Sequence, residues 1–422
     1  MKNSTTVTTR EGRGSRSGGS GQAPQTKGKR IWLISLLGAL TALGPLSIDM
    51  YLPALPTLTR DLHTSTSLGQ LSLTFCLLGL AFGQLLAGPI SDARGRRGPL
   101  IVGLGLYIVA ALLCALTPSV WVLILLRLIQ GLAGSTGIVI ARAILRDYFS
   151  GPELTKFFAL LMLVNGIAPI LAPILGGQLL LLASWRIVFL VLAGLGILML
   201  VSVTLGLPES LPNSRRSVGG FRQTLKTMKD LVTDRVFTGY AFSQGLVFGA
   251  MFAYISGSPF VLQQIFGLSP QMFSVVFAMN GTGIIIASQV SAGLSRRYSE
   301  TAVLRGSLAA AGAGSLLLVV TAAGRGNLAG ILVSLFIVVS SVGAVATTGS
   351  ALAMERKGRH AGSASAVIGM SQLILGAAAA PVVGLFGNTT AAPMGIVIAV
   401  LDIGAVLLFL VLVRGYRPAR NS

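Results

Sequence analysis

Residues 88–97 read Gly88-Pro89-Ile90-Ser91-Asp92-Ala93-Arg94-Gly95-Arg96-Arg97. Charges crowd the second half of this stretch, and apolar runs at 69–90 and 99–117 flank it. A helix needs about 20 apolar residues to cross a hydrocarbon core roughly 30 Å thick. The stretch therefore reads as a short polar turn between two membrane spans. Working outward in both directions, ten further spans follow, at 31–53, 120–141, 158–181, 186–206, 236–258, 272–294, 303–322, 327–352, 361–386 and 391–412. Barrel strands would be about 10 residues long and strictly alternating. These runs are twice that length and do not alternate, so they are helices, whose backbone groups are satisfied within lipid.

Composition agrees. Of 422 residues, 53% are hydrophobic and 10% charged, against about 25% charged in soluble domains. Mean hydropathy is +0.80. A soluble enzyme is excluded. The net charge of +20 could suggest nucleic acid, but its distribution follows the spans instead. With the N-terminus inside, 28 of the 32 Lys and Arg fall on cytoplasmic segments. The outer loops hold Arg60, Arg186 and Arg325, and Arg127 lies within a span. This is the positive-inside pattern. It predicts a multi-pass protein with both termini in the cytoplasm, no nucleic-acid partner and the lipid bilayer as its surroundings.

The expected organisation is a disordered basic tail (1–30), a six-helix bundle (31–206), a cytoplasmic central loop (207–235), a second six-helix bundle (236–412) and a short cytoplasmic tail (413–422). The first apolar run is too long for a signal-peptide core, so it reads as a retained span. A basic turn recurs after span 8 as Gly293-Leu294-Ser295-Arg296-Arg297, 205 residues beyond its counterpart. Two related halves are a common transporter plan. The cysteines, Cys76 and Cys114, lie in apolar runs, and His63 and His360 are far apart, so neither a disulfide framework nor a metal centre is expected. No Walker A motif is present. No cofactor is expected.

The loop at 88–97 fits the pattern G-x-x-x-D-x-x-G-R-[RK], and it resembles the signature loop of the major facilitator superfamily. The matching positions are Gly88, Asp92, Gly95, Arg96 and Arg97. Span 4 carries Arg127-Leu128-Ile129-Gln130-Gly131-Leu132-Ala133-Gly134, similar to the family's R-x-x-Q-G-x-x-G motif. Span 5 carries Gly166 followed by Pro173, Gly176 and Gly177, which resembles the drug:proton antiporter signature, with Ala172 where a second Gly is usual. Span 1 ends Pro45-Leu46-Ser47-Ile48-Asp49-Met50-Tyr51-Leu52-Pro53, similar to the bicyclomycin- and chloramphenicol-resistance branch. The resemblance covers about residues 31–410. It implies twelve helices in two pseudo-symmetric halves around a cavity lined by helices 1, 4, 7 and 10. It also implies that the first loop is a conformational latch, with Gly88 letting helices 2 and 11 approach.

Ionisable residues at membrane depth are rare and usually functional. Asp49, Arg127 and Asp402 are the candidates; Arg186 beside Trp185 reads as an interfacial anchor. Asp49 is either an interfacial carboxylate or, as the branch implies, the group that takes a proton from one side and releases it to the other. Arg127 either tunes Asp49 by approaching it or pins helix 4 to backbone carbonyls. Asp402 in span 12 reads as a packed residue with a polar partner or in neutral form. Span 7 presents Tyr240, Gln244, Phe248, Met251 and Tyr254 at helical spacing, either as packing or as a soft wall for apolar drugs. Asn280 and Gln372 are weaker candidates.

The function expected is proton-coupled export of small amphipathic drugs such as chloramphenicol or bicyclomycin, by a monomer in the cell inner membrane. The alternative is a proton-coupled transporter of a metabolite such as a nucleoside or amino acid. A membrane enzyme would need a cluster of catalytic side chains at one face, and the acidic residues are scattered singly.

Overall fold

The structure is a computed structural model that describes residues 26–216, 230–323, 327–355, 361–385 and 390–413. The expectations for residues 1–25, for Arg222, Lys226, Lys229, Arg325 and His360, and for the chain beyond 413 lie outside the described residues. Among the described residues, twelve helices are long and apolar enough to cross a membrane. They are α1 (Lys27–Asp49), α2 (Thr66–Arg94), α3 (Arg97–Leu116), α4 (Val120–Tyr148), α5 (Gly151–Leu179) and α6 (Arg186–Gly206) in the first half. The second half holds α7 (Arg235–Pro259), α8 (Pro270–Leu294), α9 (Glu300–Ala323), α10 (Leu328–Glu355), α11 (Ala361–Leu385) and α12 (Ala392–Val413). The described residues contain no strand.

The starts of several helices are written in the sequence. Ser65 accepts the N–H of Leu68 at the head of α2, and Ser269 that of Met272 at the head of α8. Asp234 accepts from Val236 and Phe237 at the head of α7. Each satisfies a backbone donor that the first helical turn leaves unpaired. At 29 residues, α2, α4 and α5 run about 43 Å, longer than the apolar core requires. Their surplus turns carry Arg94, Arg142, Arg146 and Lys156, and long basic stems of this kind can reach from apolar surface into water. We call this the basic end and the opposite one the far end.

The halves repeat one packing plan. In the first, α1 lies on α4 and α5, α2 on α4, and α3 on α4 and α6. In the second, α7 lies on α10 and α11, α8 on α10, and α9 on α10 and α12. The two large contacts between halves, α2 with α11 and α5 with α8, exchange under the same operation. Close backbone approach recurs too. A Cβ on Gly131 of α4 would collide with the Cys76 carbonyl of α2, and one on Gly343 of α10 with the Ile284 carbonyl of α8.

The first span differs from expectation. The span expected near 31–53 is present, but α1 itself stops at Asp49, followed by a 3-10 turn at Leu52–Ala54 and a short helix at Leu55–Asp61. Pro53 and Pro56 have no N–H to extend the ladder, although each fits the start of a new turn. The equivalent helix α7 also breaks, passing at Pro259 into a π-helical segment, Phe260–Ile265.

The hydrogen bonds that join the halves lie at the far end. Gln70 donates to the Ser256 carbonyl (3.0 Å), Thr74 to Ala377 (3.1 Å) and Gln263 to Pro53 (3.2 Å). Gln271 donates to Gly177 (2.8 Å) and Ser274 to Pro173 (2.7 Å). The apolar core follows the same division. One cluster runs through the first half and across the far end into the second, whereas the basic end of the second half has its own cluster around Tyr240, Leu308, Val345 and Phe409. Hydrogen bonds and apolar packing thus tie the two halves together at the far end.

Candidate functional site

Three motifs converge on the four residues where α1 breaks, Ser47 to Met50. A helix that stops leaves its last carbonyls without intrahelical partners, at the negative end of its dipole. Arg127 of α4 uses one of them, donating from Nη2 to the Ser47 carbonyl at 2.7 Å and from Nη1 to Gln130 Oε1 at 2.7 Å. Its guanidinium lies 4.4 Å from the Tyr51 ring centre and 5.6 Å from that of Phe189. From the other side, α5 presses Gly176 against the Met50 carbonyl so closely that a Cβ would collide with it. Asp49 sits between, 5% exposed. Tyr254 of α7 and Cys76 of α2 lie within electrostatic reach of its carboxylate.

Asp49 and Arg127 therefore share a neighbourhood but form no ion pair here; among the described residues the three ion pairs lie elsewhere. Arg127 points into the first half, where its charge is met by a helix end and two ring faces. Tyr51 and Ser47 are themselves held, by Ser72 (3.0 Å) and Tyr107 (2.7 Å). In this conformation Arg127 pins α4 to α1. Arg127→Lys should then cost roughly 2 kcal/mol of stability, because an ammonium cannot serve two acceptors and stack as the planar fork does. Thermal unfolding in detergent reads this; an unchanged Tm would contradict the pin.

The α5 signature works at the seam with α8. The Pro173 carbonyl accepts from Ser274 and that of Gly177 from Gln271, and a Cβ on Gly177 would lie 2.7 Å from Ser274 Oγ. Gly166 is different, with nothing within 4 Å of where its Cβ would be. In the helix 4 motif, Gly131 permits the α2 contact and Gly134 faces the Tyr107 ring at 3.5 Å.

The α7 candidates divide. Tyr240 turns to Phe409 of α12, with ring centres 6.1 Å apart, and Gln244 accepts from Ser350 of α10 at 2.9 Å. Both are buried within the second half in this conformation. Met251 and Phe248 remain partly exposed. Tyr254 is buried, receiving the Asn280 amide at 2.9 Å and stacking on Phe277 at 5.6 Å. Gln372 is partly exposed on α11.

The 88–97 loop is anchored inside the first half. Gly88 does not meet α11; its nearest neighbour is Val139 of α4, 3.9 Å from a built Cβ. The close approach of α2 to α11 lies at the far end instead, where Gly384 packs on Ser67 and Gln70. Arg96 is paired with Asp92 and, at 3.1 Å, with Asp147 at the end of α4. Burial works against its charge, but the hydrogen bonds it donates to these two carboxylates outweigh that and hold Arg96 above its ordinary range. Glu209, just after α6, accepts the N–H groups of Arg96 (2.7 Å) and Arg97 (3.1 Å) and so caps α3. Gly95 makes the turn possible with φ +93°. Ser210 donates to Asp147 at 2.8 Å, and Arg97 to the Thr204 carbonyl at 2.6 Å. Sequence reasoning missed Asp147, Glu209 and Ser210; the one available signal was that Asp147 and Glu209 are acids placed on the side where Lys and Arg predominate.

These contacts refine what Asp92→Asn should do. The Asp92 side chain is 49% exposed, so its pair with Arg96 is worth below about 1 kcal/mol, and Asp147 remains. We expect a folded, inserted protein that transports up to about fivefold more slowly. Asp147→Asn, which strips Arg96 and Ser210 together, should slow it further. Normal turnover of both variants in membrane vesicles would dispose of the latch.

Twelve spanning helices in two equivalent halves, joined across one end, have the architecture of a membrane transporter of small molecules. The model described as Major Facilitator Superfamily matches residues 37–381, and the chain belongs to that superfamily. It is 44% identical over 93% of its length to the "Uncharacterized MFS-type transporter YdgK" of Bacillus subtilis, covering 98% of that protein. It is 29% identical over 94% of its length to the "Bicyclomycin resistance protein homolog" of Haemophilus influenzae, again covering 98%. Among solved structures, that of the nucleoside transporter NupG (D323A mutant) superposes with a TM-score of 0.74 at 15% identity, over 91% of this chain and 99% of that one. At that identity the likeness is one of fold.

Proposed function

We propose that the chain is a drug:proton antiporter that exports small amphipathic drugs, of the kind of chloramphenicol or bicyclomycin, across the cell inner membrane as a monomer. The observation that carries this reading is the convergence of the helix 4 and helix 5 motifs on the break of α1 that holds Asp49. A carboxylate in such a place can be reached by a proton and by a cavity-bound molecule alternately. The relative named for bicyclomycin resistance adds support.

In this reading the basic end is cytoplasmic, with both termini there, and the joining of the halves at the far end makes the conformation inward-facing. A drug enters from the cytoplasm and rests on the soft surface of Phe248 and Met251. The switch to the outward state breaks the seam of Gln70, Thr74, Gln263, Gln271 and Ser274 and re-forms contacts at the basic end, in the manner of a two-state equilibrium biased by its ligands. Asp49 takes up a proton from outside as the drug leaves and gives it to the cytoplasm after the return.

A drug-susceptibility panel in a bacterial host deleted for its own pumps tests the reading. Expression of the chain should raise resistance to one or more amphipathic drugs, and dissipating the proton gradient should abolish the effect. Unchanged susceptibility across the panel, together with proton-driven uptake of a nucleoside or amino acid in vesicles, would overturn it.

A further inference from the structure

Asp402 takes no part in the site around Asp49. We propose that Asp402 is a second, internal proton-binding site, a carboxylic acid sealed between α7, α9 and α12 that exchanges its proton only when α7 tilts. The proposal rests on the proton-coupled reading above for its role, though not for the state of the group.

Two observations motivate it. The residue is 0% exposed, and neither of its carboxyl oxygens has a hydrogen-bond partner among the described residues. Its place follows from the contacts on either side. The inner stripe of α12 meets α7 at Met394 against Gly257, at the Ala405 carbonyl, which accepts from Ser243, and at Phe409 against Tyr240. It meets α9 through Gly395 against Leu318 and Val406 against Gly312. Asp402 lies between these contacts, near the level of Ser315, whose hydroxyl is already given to the Gly312 carbonyl at 2.9 Å. The three helices also bury small residues, among them Ala250, Ala311 and Ala405.

Among the described residues no cation is at hand. The titratable and charged groups of α7 are Tyr240, turned to Phe409, Tyr254, bonded to Asn280, and Arg235 at the basic end. Those of α9 are Glu300 and Arg305, also towards the basic end, and the described part of α11 has none. A bare carboxylate without a counter-ion in such a place is strongly disfavoured, whereas the protonated acid is tolerated.

The link to transport is mechanical. The face of α7 with Phe248 and Met251 is partly exposed, its far end bonds to the first half through Ser256, and its back packs on α12. Opening the far end must tilt α7, loosen its contact with α12 and admit water to Asp402. The acid then passes its proton to that water and becomes a hydrated carboxylate, and reclosure requires a proton to be taken up again.

Infrared difference spectroscopy on the reconstituted full-length protein decides the matter. Wild type at neutral pH should show the C=O stretch of a protonated, non-hydrogen-bonded carboxyl, which Asp402→Asn loses and Asp49→Asn retains. On transfer to D2O the wild-type band should shift slowly at rest and several-fold faster once a pH gradient is imposed across the vesicles. The second measurement needs no variant, so poor folding of Asp402→Asn leaves the test standing. Absence of an Asp402-dependent band would overturn the proposal. So would a band whose exchange ignores the gradient, since the acid would then be static. Failure of the antiporter reading shows separately, as absent proton-driven drug efflux in the same vesicles.

Discussion

Asp49→Asn abolishes proton-driven efflux, by two orders of magnitude or more, while the protein still inserts at wild-type levels. The substitution keeps the size of the side chain and most of its hydrogen-bonding capacity but removes the carboxyl group at the break of α1. Because Asp49 makes no ion pair and accepts no hydrogen bond among the described residues, its loss leaves no buried partner stranded, so folding is spared. A hundredfold fall in rate corresponds to about 2.7 kcal/mol, which is within what a buried charge contributes in such an environment. Proteoliposomes carrying the variant should release no protons on addition of drug under an imposed pH gradient, while binding of neutral drugs is partly kept. Wild-type coupling would move the proton site elsewhere, with Asp402 the first place to look.

Span positions were readable because burial in lipid imposes a long apolar run and a charge rule on every segment, independent of which helix packs on which. The latch, helix 4 and helix 5 motifs were readable as patterns for the same local reason. What they touch was not. The periodicity of α7 identifies a stripe, but Tyr240 and Gln244 turned out to face α12 and α10, because a helix enclosed by four neighbours has bulky residues on every side. Arg127 was expected near Asp49 by depth alone, and depth says nothing about azimuth: the guanidinium points back to Ser47, Tyr51 and Phe189. Glu209 caps α3 from a position more than a hundred residues away in the chain, and no local rule connects the two. Even the break in α1 was half visible, since Pro53 and Pro56 were in view but the helix ends before both of them.

Gly176→Leu should cripple transport, and Gly166→Leu should not. Both glycines belong to the same signature on the same helix, so the pair separates close packing from mere membership of a motif. At Gly176 the α5 backbone lies directly on the Met50 carbonyl, and a Cβ there has nowhere to go because the atom it meets is main chain rather than a yielding side-chain tip. Either α5 withdraws from the end of α1 or the break itself shifts. Overpacking of this kind costs about 2 kcal/mol, and the cost falls on this conformation, where α5, α8 and the end of α1 are pressed together. A penalty of that size moves a two-state equilibrium roughly thirtyfold and disturbs the setting of Asp49 as well. At Gly166 the space is open, so a leucine there meets lipid or cavity and nothing else. Efflux in vesicles, normalised to the amount of inserted protein, should fall more than tenfold for the first variant and less than twofold for the second. Equal tolerance at both positions would mean that the contact between Gly176 and Met50 is incidental, and that the signature of α5 acts by some route other than holding the far end shut.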